Sequence, residues 1–156
     1  MQGLELLTAL IQNVPERVKT LPPSASTKPS ASTWSAKEEF GHLIDSAANN
    51  HQRIVRAQLE DTPSTPGYDG DAWVALHRYQ EKSWPELAGR WAALNAQLLA
   101  AVEAVSESAW SRTLTIGDSE KLTLRYVFDD YLDHMVHHLE HMGVQVSDLR
   151  QAAAPD

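Results

Sequence analysis

The sequence predicts an all-α fold, a four-helix bundle with short extra helical turns in its connections. Three observations carry that expectation. Four long segments repeat apolar residues at helical spacing, helix-start signals stand before three of them, and strand-like alternation is confined to one brief stretch.

The first segment places Leu4, Leu7, Leu10 and Ile11 at steps of three, three and one. Asn13 and Pro15 interrupt it, since proline has no backbone N–H to give a helical ladder. Val14, Val18 and Leu21 then predict a second short turn after a bend. Pro22 to Ser32 is rich in Ser, Pro and Thr and reads as an exposed connection.

Ser35-Ala-Lys-Glu38 is a capping box, in which the hydroxyl takes the amide of Glu38 and the carboxylate reaches back to the amide of Ser35. It opens a long helix to about Leu59, with Phe40, Leu43, Ile44, Ala47, Ile54 and Gln58 on one stripe. Asp61 to Gly70 is a loop, and Asp71 is expected to cap a helix through Trp73, Leu76 and Tyr79. A second box, Ser83-Trp-Pro-Glu86, restarts the chain as a long helix buried through Leu87, Trp91, Leu94, Leu98, Val102 and Val105. Residues 106–122 are irregular, with a turn at Gly117-Asp118. A strand pair around Leu114-Thr-Ile116 is too brief to build a sheet. Thr123 caps the last long helix, which stops at Gly143.

A chain of 156 residues buries enough surface for one hydrophobic core, so residues 1–150 are expected to form a single domain and 151–156 a flexible tail. The formal charge of -8 disfavours a phosphate backbone as partner. No basic amphipathic face points to a membrane surface, and Met1 to Val14 do not read as a signal peptide or span, so a cytoplasmic location is expected. Without cysteine there is no disulfide, thiolate metal site or internal thiol nucleophile.

Four of the seven histidines, His134, His137, His138 and His141, fall within eight residues of the last helix. Imidazoles four residues apart are separated by about 40° and about 6 Å of rise, close enough to share one metal ion. His134 with His138 and His137 with His141 both have that spacing. The apolar face runs through Leu124, Phe128, Tyr131, Met135, Leu139 and Met142; His134 and His138 flank it, whereas His137 points to the polar side with Asp130 and Asp133. The first pair is the better ligand candidate, because a metal site needs screening from water.

The run Trp34-Ser-Ala-Lys-Glu38-Glu-Phe-Gly-His42-Leu-Ile-Asp45, followed by His134-x-x-x-His138, resembles the DinB/YfiT-like superfamily, as do Trp73, Tyr79 and Arg90-Trp91. The resemblance implies a four-helix protein with a three-histidine metal site, and maps the ligands onto His42, His134 and His138. For His42 the resemblance is the only support: its own helix's phase groups it with Glu38, Asp45 and Asn49, opposite the apolar stripe. The same resemblance implies that this polar stripe faces an open mouth. Glu38, Asp45, Tyr131 and His141 are candidates to support the ligands or face the substrate. Glu38 is already explained as a cap, and Asp45 could orient a ligand imidazole. His51 and His77 are isolated. Where many relatives carry a His-Pro element before the last helix, this chain reads Ile116-Gly117-Asp118-Ser119.

The resemblance further implies one divalent ion, zinc or nickel first, with iron or manganese also compatible with imidazole, a small-molecule substrate, and a homodimer. Its leading implication for activity is a metal-dependent transferase using a low-molecular-weight thiol of the bacillithiol, mycothiol or glutathione type. Metal-dependent hydrolysis by metal-bound hydroxide is the alternative, and a non-catalytic metal-binding stress-response bundle the third reading.

Overall fold

A computed structural model of the chain describes residues 2–30 and 32–153. Four long helices form the bundle: α1 (Gln2–Lys19), α2 (Ala36–Leu59), α4 (Trp84–Glu103) and α5 (Leu124–His141). Two short ones, α3 (Gly70–His77) and α6 (Ser147–Ala152), accompany them, with single 3-10 turns at Pro23–Ser26, Tyr79–Glu81 and Glu107–Ser111. The strands β1 (Ser64–Thr65), β2 (Thr113–Ile116) and β3 (Leu122–Thr123) make a small ribbon. β2 pairs with β3 antiparallel, and β1 adds in parallel by setting Ser64 against Thr115. The antiparallel pair flanks the expected turn, but the expectation that it is too brief to build a sheet does not hold: β1, brought in from the 60–69 loop, makes it a three-stranded sheet in the order β1-β2-β3.

Both capping boxes form in both directions, and Thr123 caps α5 by accepting from the Tyr126 amide. The expected bend at Pro15 does not occur. Pro15 lies inside a continuous α1, whose Leu7, Leu10, Val14 and Val18 are wholly buried. Keeping that one face in register against α4 outweighs the ladder hydrogen bond that proline removes. α3 starts two residues earlier than expected, with Asp69 rather than Asp71 accepting from the Ala72 amide. At the other end Gln151 and Ala152 belong to α6 and Ala153 is buried, so the tail expected from 151 does not begin there; its remainder, 154–156, lies outside the described residues.

α2 is the hinge of the architecture. One side packs on α4 and another on α5, with α3 and the Tyr79 turn laid across its first half. It is therefore buried on more than its apolar stripe: Glu39, Asp45, Ser46 and Asn50 join Phe40, Leu43, Ile44 and Ala47 inside. Gly41 permits the Tyr79 turn to dock, because a Cβ there would stand 2.0 Å from the Tyr79 ring.

Candidate metal centre

The α2–α5 contact brings His42, His134 and His138 together. One nitrogen from each lies within 4.8 Å of the others, and none of the three side chains is exposed. Nε2 of His42 is 3.1 Å from Nε2 of His134. Two nitrogens at that separation can both reach one ion at roughly 2.1 Å. The Nδ1 of His138 is 2.9 Å from Oε1 of Glu39, leaving its Nε2 free. The same carboxylate oxygen lies 2.7 Å from Nδ1 of His141.

The electrostatics suit a cation. Burial, reinforced by the neighbouring His138, lowers the pKa of His42 to about 4, and burial followed by His138 and His42 does the same for His134. Both rings are therefore neutral at physiological pH, with a lone pair available to a metal rather than a proton. Burial pushes the Glu39 carboxyl up, but its hydrogen bonds to His138 and His141 outweigh this and hold it below the usual range. The Nδ1 atoms of His42 and His134 are buried without a partner. Of the three rings only that of His138 therefore has the acceptor that commonly stands behind a metal-bound imidazole, while the Nε2 atoms of His42 and His134, 3.1 Å apart, are left to face an ion. Three imidazoles and no competing carboxylate among the converging atoms make a donor set that fits a divalent transition metal with positions left open.

The walls are aromatic. The Trp34 ring lies 4.9 Å and the Tyr68 ring 6.2 Å from that of His42, centre to centre. Gly70 closes the same side: a Cβ there would come to 3.3 Å from the His42 ring, so the start of α3 rests directly on the imidazole. Two openings reach the cluster. One, of about 350 Å³, is bordered by Trp34, Glu39, His137 and His138; the other, of about 140 Å³, by Arg53, Tyr68, Tyr131 and His134.

His42 is inside, against the phase of its own helix, because α5 and α3 cover the side that a two-layer reading leaves to solvent. Its polar stripe does not form an open mouth: Asp45 is 2% exposed. Nor does Asp45 orient a ligand. Its Oδ1 accepts from the Tyr79 hydroxyl at 2.7 Å and meets Nδ1 of His77 at 2.9 Å, while Oδ2 has no partner; burial raises its pKa. Glu38 stays with its cap, accepting from the Ser35 amide at 2.9 Å, and pairs with Lys28 at 3.0 Å. Tyr131 is buried with its hydroxyl donating to Asn95 Oδ1, and borders the smaller opening. His141 reaches the cluster through Glu39, and the exposed His137 stacks on it, ring centres 6.3 Å apart. Glu39, behind His138, is not among the residues that the sequence motifs single out. Its position three residues before His42, hence on the same side of α2, was the available signal.

A helical bundle with three histidines converging from two helices defines a class of metal-site proteins. The chain belongs to the DinB superfamily, whose family model matches residues 6–142. YfiT of Bacillus subtilis strain 168 is 26% identical over 117 residues, which cover 70% of this chain and 62% of YfiT, so the match spans less than two thirds of that relative. A solved structure of YfiT, described as a probable metal-dependent hydrolase with an unusual four-helix bundle topology, superposes with a TM-score of 0.71 at 20% identity, covering 92% of this chain and 87% of that one. The DinB-like protein YjoA from Bacillus subtilis has a TM-score of 0.62 at 16% identity, covering 100% and 94%. Among the described residues no helix is long and apolar enough to cross a membrane.

Proposed function

We propose that this chain is a divalent-metal-dependent enzyme of a small molecule, with the ion held by His42, His134 and His138. The observation that carries the reading is the meeting of three partly buried imidazoles, two of them holding low pKa values, beside two openings. Such an ion, when bound, acidifies a coordinated water or thiol and polarises a carbonyl oxygen. Glu39 accepts a hydrogen bond from the Nδ1–H of His138, so that Nε2 would be the atom that holds the ion. Trp34, Tyr68 and Gly70 hold the His42 ring in place and limit water around it.

Hydrolysis is the reaction favoured by the likeness to YfiT. Transfer from a low-molecular-weight thiol is a second reading, favoured by the openings on the His134 and His138 sides, which give room for two reactants. Zinc or nickel is the expected ion, since neutral imidazole suits both.

The test is metal analysis of untagged protein, followed by turnover of an ester and amide panel with and without glutathione-type thiols. About one metal per chain is expected, lost in His138→Ala. Turnover without thiol supports hydrolysis, and turnover only with thiol supports transfer. Wild-type protein that takes up neither zinc nor nickel removes the basis of both.

A further inference from the structure

The smaller opening holds a cation that the three-histidine cluster leaves unexplained. Arg53, on α2 about three turns beyond His42, borders the same cavity of about 140 Å³ as His134. Arg17, Arg56, Arg78, Arg112 and Arg150 each have a carboxylate oxygen within ion-pair distance, whereas Arg53, Arg90 and Arg125 have none among the described residues; of these three Arg90 is exposed and Arg125 lies over the Trp110 ring, which leaves Arg53 as the half-buried one on a cavity. Its Nη1 donates to Asn50 Oδ1 at 3.2 Å, and its Nη2 has only the Pro66 carbonyl at 3.5 Å, a long contact. The amide of Asn50 is in turn anchored on the Ser46 carbonyl at 3.0 Å, so the guanidinium is held from one side and open on the other. Burial lowers its pKa, and the nearby Tyr68 and Asp130 offset that only in part.

We propose that Arg53 is a specificity-determining residue that binds a carboxylate of the substrate and presents the rest of the molecule to the three-histidine centre. The inference rests on the metal-dependent reading for what happens at His134, but the anion site stands on this cavity alone. A guanidinium offers planar paired donors that match a carboxylate. The volume is near the roughly 150 Å³ of an apolar cavity that admits benzene, so the bound portion is small. Asp130 borders the same cavity beyond ion-pair distance of Arg53. That neighbour repels any anion in the cavity, and a dianion about twice as strongly as a monoanion, which favours a carboxylate over a doubly charged phosphoryl group.

Amide chemical shifts of metal-free and zinc-loaded protein are followed while benzoate, benzamide or inorganic phosphate is added. Benzoate is expected to bind, with shifts centred on Asn50, Arg53 and Tyr126, and neutral benzamide is not. Arg53→Met weakens benzoate about tenfold to a hundredfold, while Asp130→Asn, at an exposed position, tightens it about twofold to fivefold. Both variants keep wild-type zinc affinity and far-ultraviolet circular dichroism. Equal binding of benzoate and benzamide, benzoate affinity indifferent to both substitutions, preference for phosphate, or no benzoate binding overturns the proposal. If wild-type protein binds no zinc, the metal reading fails while the metal-free titration still decides the carboxylate site.

Discussion

The α1–α4 half of the bundle and the α2–α5 half are built on opposite principles. Between α1 and α4 the interior is apolar: Leu7, Leu10, Val14, Val18, Leu87, Trp91 and Leu98 are all fully buried. Around α2, where α5 and α3 cover it, Glu39 and Asp45 are buried and His42 and His134 half-buried, and among the described residues three of the four buried polar atoms without a partner lie there, the fourth being the Trp91 indole nitrogen. The first half is stabilised by transfer of apolar surface from water. The second gives up some of that gain to hold groups poised for a ligand, the usual relation between stability and a functional site.

The contrast can be broken or sharpened by four measurements. Trp91→Ala strikes the apolar half and is expected to cost about 3–5 kcal/mol in denaturant unfolding. The fraction that stays folded is expected to keep its metal stoichiometry, since Trp91 lies on α4 and the three histidines on α2 and α5; loss of metal from that fraction would merge the two halves into one unit.

Acid strikes the polar half. Burial holds the folded-state pKa values of His42 and His134 at about 4, against 6.5 for an ordinary histidine. Between those values the unfolded chain takes up protons that the folded chain refuses. The chelated, metal-free protein is therefore expected to lose stability as pH falls from about 6.5 toward 4. His42→Ala and His134→Ala should each flatten that slope, and an unchanged slope would refute the assigned burial.

Glu39→Gln leaves the fold intact but removes the anionic acceptor behind His138. Metal affinity is expected to fall about tenfold to a hundredfold, read by competition with a chromophoric chelator. His141→Ala removes a mostly exposed partner of the same carboxylate, and its effect on metal affinity should stay within about fivefold. A larger loss for His141→Ala than for Glu39→Gln would make His141 itself a ligand.

Legibility in the sequence followed the same division. His134 and His138 could be paired because a helix fixes the relation of residues four apart and because their own apolar face gave the phase. His42 could not, since a hydrophobic stripe reports one buried side, and α2 has several. Asp45 illustrates the same limit: its neighbours on α2 suggest a ligand support, but its partners His77 and Tyr79 arrive from the end of α3 and the turn after it, more than thirty residues on. Glu39 was masked by the capping box at Glu38, and its partner His138 is 99 residues away in sequence.

By itself the sequence determined the four long helices, their capping and the histidine pair on α5, because hydrogen bonds and side-chain spacing within a helix are local. The resemblance carried by its motifs added His42. Tertiary structure alone decided which side of α2 faces α5, that Glu39 stands behind His138, that Pro15 leaves α1 unbroken, and that Arg53 shares a cavity with His134. Each depends on surfaces distant in sequence coming together, where burial and partnering are set by what covers a residue rather than by what surrounds it along the chain.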